Sequence, residues 1–212
     1  MYSVKEAFYT MQGEGAQAGR VAVFMRFAGC NLWTGREEDR YKAVCQFCDT
    51  DFVGTDGENG GKFKEPQDVA QMILRLWDEG HKNGVGYPLV VITGGEPLLQ
   101  LDKALIDAIH DVRIEIAVES NGTIEAPEGI DWLCISPKAN APLKQLKGDE
   151  LKLVFPQDLN EPDDFIDLEF DHFFLQPKDE AGTDYVPETI RYCLDNPAWR
   201  LSLQTHKIVG IK

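Results

Sequence analysis

Positive charge is scarce in this 212-residue chain: 21 Lys and Arg stand against 36 Asp and Glu, a formal net charge of −15. A surface of that sign repels phosphate backbones and anionic headgroups, which argues against a general nucleic-acid binder and against a protein of anionic membrane surfaces. Long apolar runs are missing as well. None approaches the ~20 residues that span a bilayer, and MYSVKEAFYT carries no apolar stretch of the signal-peptide kind. There is no internal repeat and no low-complexity segment. Cysteine is sparse and odd in number, five residues in all, so a disulfide framework is not expected. Together these absences predict a cytoplasmic protein with reduced thiols. At 43% hydrophobic residues the chain has ample material for a core, and its length suits one domain over residues 1–212.

What is present is a series of apolar, β-branched runs: Val21–Phe27, Leu89–Thr93, Ile114–Val118, Trp132–Ser136, Leu151–Phe155, His172–Gln176 and Leu201–Gln204. Several are continuous rather than alternating, the habit of strands buried on both faces of a parallel sheet. Helical spacing recurs over Pro66–Gly80, Leu101–Asp111 and Thr183–Asn196, with a shorter helix expected near Pro162. Alternating strands and helices predict an α/β fold. A complete eightfold barrel takes about 250 residues, and the connections after Val118 and Ser136 look too short or irregular for full crossover helices. The expectation is a partial TIM-type β/α barrel with six to seven mostly parallel core strands and few helices. Gly54–Gly61 reads as a loop.

Three of the five cysteines cluster as Cys30-x14-Cys45-x2-Cys48. The x2 spacing lets two thiolates point inward from one turn, and the nearest histidine in sequence is His81, so no fourth local ligand closes a structural zinc site. An open-sided metal centre is the reading that follows. Cys134 and Cys193 read as buried free thiols. The tetrad Gly94-Gly95-Glu96-Pro97 closes the strand at Thr93, where α/β sheets place their active sites. Two glycines there expose backbone to a ligand, and Glu96 offers an acceptor for an ammonium group. A plain turn leading into a helix would explain the tetrad alone, but not its combination with the cysteines.

The cysteine triad and Gly-Gly-Glu-Pro resemble the radical S-adenosylmethionine (SAM) superfamily, in which three cysteines hold a 4Fe-4S cluster whose fourth iron chelates SAM. The usual spacing there is Cys-x3-Cys-x2-Cys, so this chain carries eleven extra residues between Cys30 and Cys45. Its flanks, Arg26–Leu32 and Cys45–Thr50, keep the pattern, so the insertion leaves the cluster geometry intact. Within the superfamily, Gln12-Gly13-Glu14-Gly15, the long cysteine insertion, Asp49-Thr50 and Gln204-Thr205-His206-Lys207 resemble the 7-carboxy-7-deazaguanine synthase family along essentially the whole chain.

That resemblance implies a radical ring contraction. A 5′-deoxyadenosyl radical takes hydrogen from carbon 6 of 6-carboxy-5,6,7,8-tetrahydropterin, the ring contracts, hydrogen returns to regenerate SAM, and ammonia leaves. It implies a cluster on Cys30, Cys45 and Cys48, Mg²⁺ on Thr50, and SAM contacts from Phe47, Asp49, Gly94, Gly95, Glu96, Glu119, Asn121, Ser136, Lys138 and Gln176. Substrate contacts fall to Gln12, Gly13, Glu14, Arg26, Thr93, Gln176, His206 and Lys212. Arg26 is the natural bidentate clamp for a carboxylate, and Gln12 with Glu14 offers the donors and acceptors that a pterin edge demands. The C-terminal segment is expected to fold over the substrate. A cluster-binding loop at about 28–62, an external donor such as flavodoxin and a homodimer complete the expectation. Two alternatives remain: a radical SAM activase of a glycyl-radical protein, and a non-catalytic iron–sulfur or zinc module. Finally, Arg26, Lys138, Lys178, His206 and Lys207 all fall at strand-end motifs, which predicts a basic mouth on an acidic body.

Overall fold

Nine strands form one sheet in the computed structural model, which describes residues 1–212, in the order β3-β1-β2-β4-β5-β6-β7-β8-β9. The strands are β1 (Tyr2–Met11), β2 (Val21–Phe27), β3 (Gly61–Phe63), β4 (Leu89–Gly94), β5 (Glu115–Ser120), β6 (Trp132–Ile135), β7 (Lys147–Phe155), β8 (Glu169–Pro177) and β9 (Trp199–Leu201). From β2 to β9 every neighbouring pair is parallel, while β1 pairs antiparallel with both β2 and β3. The sheet ends at β3 on one side and β9 on the other, so it is open: an incomplete barrel of seven parallel strands with a two-strand antiparallel margin.

The helices α1 (Pro66–Gly80), α2 (Lys103–Asp111) and α3 (Val186–Asp195) supply three crossovers, and α4 (Thr205–Val209) ends the chain. Proline begins α1, and its apolar stripe Val69, Met72, Ile73, Leu76 and Trp77 is buried. The Asp102 carboxylate caps α2 by accepting from Leu105 N at 2.9 Å. No helix joins β5 to β6 or β6 to β7, as their short connections predict. The helix expected near Pro162 is a single 3-10 turn, Pro162–Asp164, and the last strand lies two residues earlier than expected. β1, β3 and α4 were not predicted. β1 escapes a periodicity reading because its register shifts between Val4 and Glu6, so two alternating patterns abut out of phase.

Alternation along the parallel strands sorts side chains onto two faces. The outer set, including Val23, Met25, Val90, Ile92, Ile116, Val118, Leu133, Ile135, Leu151 and Leu153, packs with α1 and α2 in a core of 32 buried apolar residues. The inner set begins at the N-terminal ends of the strands with Ala22, Leu89, Val91 and Ala117 against Phe24 and Trp132. Higher on the same strands it turns polar. Cys134 is buried on this inner face of β6, as expected of a free thiol, whereas Cys193 on α3 is only half-buried.

Candidate active site

The inner face opens at the C-terminal strand ends into a cavity of about 460 Å³. Six of the seven parallel strands contribute an inward residue near their C-terminal ends: Arg26 from β2, Thr93 from β4, Glu119 from β5, Ser136 just after β6, Lys152 from β7 and Gln176 from β8. Arg26 and Thr93 are register partners across β2 and β4. Of the residues singled out in the sequence, Cys30, Cys45, Cys48, Thr50, Phe47, Asp49, Gly94, Gly95, Asn121, Lys138, Gln12, Gly13, Glu14, His206 and Lys212 line the same cavity.

Glu96 is the exception. Its side chain is fully buried, with Oε1 accepting from Leu98 N at 3.0 Å and Ser120 Oγ at 2.8 Å, and Oε2 accepting from Asn121 N at 2.8 Å. Its own N–H donates to Gly29 O at 3.0 Å. Burial pushes its carboxyl up, although these hydrogen bonds oppose that. The expected ammonium acceptor is thus already committed to protein donors. It fastens together the ends of β2, β4 and β5. The two glycines before it are sterically required: Gly94 has φ 141°, and a Cβ on Gly95 would lie 2.1 Å from Gly29 O.

The loop after β1 and the C-terminal segment are built against each other. Thr205 donates to Gly13 O through both its N–H (3.0 Å) and its Oγ1 (2.9 Å). A Cβ on Gly13 would fall 2.3 Å from His206 Nδ1, so only glycine lets the imidazole lie over this loop. Thr10 Oγ1 donates to the Lys212 carbonyl at 2.7 Å, and Lys212 Nζ pairs with Glu58 at 3.0 Å. These contacts bring the C-terminal segment over the cavity.

The cysteine insertion is organised by Arg40. Its guanidinium stacks 4.0 Å from the Trp33 ring and donates to the carbonyls of Gln46 (2.8 Å) and Cys48 (3.0 Å), fixing the turn that carries Cys45 and Cys48. The closeness of the two thiols favours the thiolate at Cys48 and disfavours it at Cys45. No three of the His, Cys, Asp and Glu side chains form a group able to hold a metal ion. A cluster that binds one thiolate per iron asks for a different set, thiols arranged round a pocket rather than closed on one point. Three such thiols line this cavity, so the donor chemistry fits.

Electrostatically the mouth is mixed rather than basic. Arg26 pairs with Glu6 at 3.1 Å, Lys178 with Glu180 at 3.0 Å, and Lys207 with both Asp49 and Asp179 at 2.6 Å. Each of these three cations thus has a carboxylate within 3.1 Å. Lys138 differs: it is half-buried, its ammonium donates to Ser136 O and Oγ at 2.6 Å, and desolvation pushes that ammonium down. Sequence reasoning missed Lys152, which contacts Glu14 Oε2 at 2.5 Å and Glu119 Oε1 at 3.4 Å. A lysine between Leu151 and Leu153 in an apolar strand was the available signal. Gln204 Nε2 donates to Glu14 Oε1 at 3.0 Å, and Gln12 Nε2 to Glu119 Oε1 at 2.9 Å.

The chain matches no protein-family model. It is 58% identical to the 7-carboxy-7-deazaguanine synthase of Caulobacter vibrioides over 211 residues, 99% of each chain. It is also 58% identical to the enzyme of that name from Bordetella pertussis and 56% to that from Burkholderia multivorans, again over 99% of each chain. Among solved structures, QueE from Escherichia coli superposes with a TM-score of 0.66 at 24% identity, covering 95% of this chain and 93% of that one. At that identity the likeness speaks for the fold.

Proposed function

This chain belongs to the 7-carboxy-7-deazaguanine synthase family, and we propose that it converts 6-carboxy-5,6,7,8-tetrahydropterin to 7-carboxy-7-deazaguanine with loss of ammonia. The observation that carries this reading is the convergence of three thiols, the Gly94-Gly95 strand end, Arg26 and the Gln12–Glu14 loop on one cavity. When bound on Cys30, Cys45 and Cys48, a reduced 4Fe-4S cluster would supply the electron that cleaves SAM homolytically.

The chain's own residues bind, orient and shield. Arg26 offers its guanidinium to the substrate carboxylate, and Glu6 keeps that guanidinium in place until the carboxylate arrives. Thr50, also on the cavity wall, is the hydroxyl that would serve Mg²⁺ beside the same carboxylate. Gln12, Glu14, Thr93 and His206 face the pterin ring. Glu119, Asn121, Ser136, Lys138, Gln176, Phe47 and the Gly94-Gly95 backbone serve SAM, with Glu96 holding their strand ends in place. Gly13 and Lys212 act through the closure of the C-terminal segment.

The same reading includes a single radical SAM core domain over 1–212 with its cluster loop at about 28–62, a one-electron donor such as flavodoxin, and a homodimer. No helix is long and apolar enough to cross a membrane, and thiolates that must stay free suit the reducing cytoplasm. The test is anaerobic reconstitution with iron and sulfide, followed by pterin, SAM and reductant with and without Mg²⁺. The ring-contracted acid and one equivalent of ammonia are expected, faster with Mg²⁺. Inert pterin together with SAM cleavage that requires a protein partner would favour the activase alternative, and tight zinc without SAM cleavage would favour the binding module.

A further inference from the structure

Lys152 lies on the inner face of β7, and its side chain is only 6% exposed. Two carboxylates share its ammonium, Glu14 from the loop after β1 at 2.5 Å and Glu119 from the end of β5 at 3.4 Å. Each carboxylate is also tied by a neutral amide, Gln204 on Glu14 and Gln12 on Glu119. The network joins four separate pieces of the chain at the wall of the cavity. Two half-buried carboxylates this close to one point repel each other unless a cation stands between them.

We propose that Lys152 is a positioning residue that keeps Glu14 ionised and holds Glu14 and Glu119 side by side, aimed as acceptors at the cavity. The ligand chemistry makes this matter. On the pterin reading Glu14 faces the adjacent N–H donors of an amino-pyrimidinone ring and Glu119 the hydroxyl donors of SAM, and a protonated carboxyl would turn an O–H donor toward either. The inference rests on the pterin reading for the identity of that ring.

The charged surroundings agree with this role. The other titratable groups near the network are Glu150 on the same strand, Cys134 on β6, Lys138 after β6, and His206 of α4 near Glu14. Burial alone would lower the Lys152 ammonium, but Glu119, Glu14, Cys134 and Glu150 together hold it well above its ordinary range. Glu150 accepts from Ala16 N at 2.8 Å and is pushed up by burial, so it competes weakly for the ammonium.

The experiment compares the reconstituted wild-type chain with Lys152→Met, Lys152→Arg and the double variant Lys152→Met/Glu14→Gln, measuring KM, kcat and pterin binding from pH 6 to 9. In Lys152→Met the KM should rise about 10- to 100-fold near pH 7, as expected for loss of a charge-assisted contact. It should then recover as pH rises and the shared proton leaves, with kcat much less affected. Lys152→Arg should restore a flat profile. The double variant removes one charge of each sign and so keeps the network's net charge, which lets it fold even if Lys152→Met does not, and it should lose the acid limb. Infrared difference spectra of the ligand-free proteins should show a protonated carboxyl at neutral pH in Lys152→Met alone. A Lys152→Met protein with wild-type KM, a flat pH profile and no such band would overturn the proposal. A wild-type chain that neither binds nor turns over the pterin would instead overturn the function, leaving the infrared result to decide the role of Lys152.

Discussion

The two faces of the sheet are made by the same strands, one residue apart, yet they obey different rules. On β5 the outward Ile116 and Val118 are wholly buried under α2, while the inward sequence runs from Ala117 to Glu119. On β7 the outward Leu151 and Leu153 alternate with the inward Glu150 and Lys152. The outer face needs volume and apolarity, which many side chains supply, and its loss costs stability. The inner face needs particular donors and acceptors at particular heights, and its loss should cost chemistry first. Its charge is tolerable because nearly every inward ionised group has a partner: Arg20 with Glu115 at the bottom, Arg26 with Glu6, and Lys152 with Glu14 and Glu119.

Substitutions can break this contrast or sharpen it. The largest effect belongs to the thiols: changing any one of Cys30, Cys45 or Cys48 to Ala should abolish turnover and the cluster's visible absorbance, with the far-ultraviolet circular dichroism of a folded chain. On the opposite face, Ile116→Ala should cost about 2–5 kcal/mol in urea unfolding, while kcat per folded molecule stays at the wild-type value. If that variant lost kcat instead, the separation of the faces would be wrong. Arg26→Lys keeps the charge but loses the bidentate fork, and should raise KM by about 1.5–3 kcal/mol worth of binding, with a smaller change in kcat.

Acid should expose the same pairing. Burial alone would raise Glu14, but Lys152 and Gln204 bring it down from 4.5 to about 2. Because the folded value is depressed, the stability it contributes is present above about pH 4.5 and is lost as pH falls through about 2. Acid titration of thermal stability should therefore show a steeper decline over that window for the wild type than for Glu14→Gln. The smallest effect is Asp102→Ala at the α2 cap, about 1 kcal/mol of stability, with turnover unchanged.

The outer face was largely legible in the sequence. Continuous apolar runs located six of the seven parallel strands closely, and the Pro66–Gly80 stripe matched α1 residue for residue. What escaped has physical causes. A bulge breaks the alternation of β1, β3 has only three residues, and α4 buries no side chain that would mark its period. The inner face was legible through motifs, which named more than half of its cavity-lining positions. It was illegible where roles depend on pairing across the sheet. Glu96 looked like a ligand because it follows two glycines, but its acceptors are taken by Ser120 and Asn121, more than twenty residues along the chain. Lys152 and Arg40 carry no local motif, and their functions exist only once β1, β5 and the cysteine turn lie against them.

If the inner face holds a pterin as proposed, carbon 6 is the atom that loses hydrogen. The direct measurement is anaerobic turnover with substrate deuterated at carbon 6, reading the isotope in product, solvent and SAM by mass spectrometry. The label is expected to leave carbon 6 and to be recovered in SAM. Label retained in the product, or released into water with none in SAM, would contradict it.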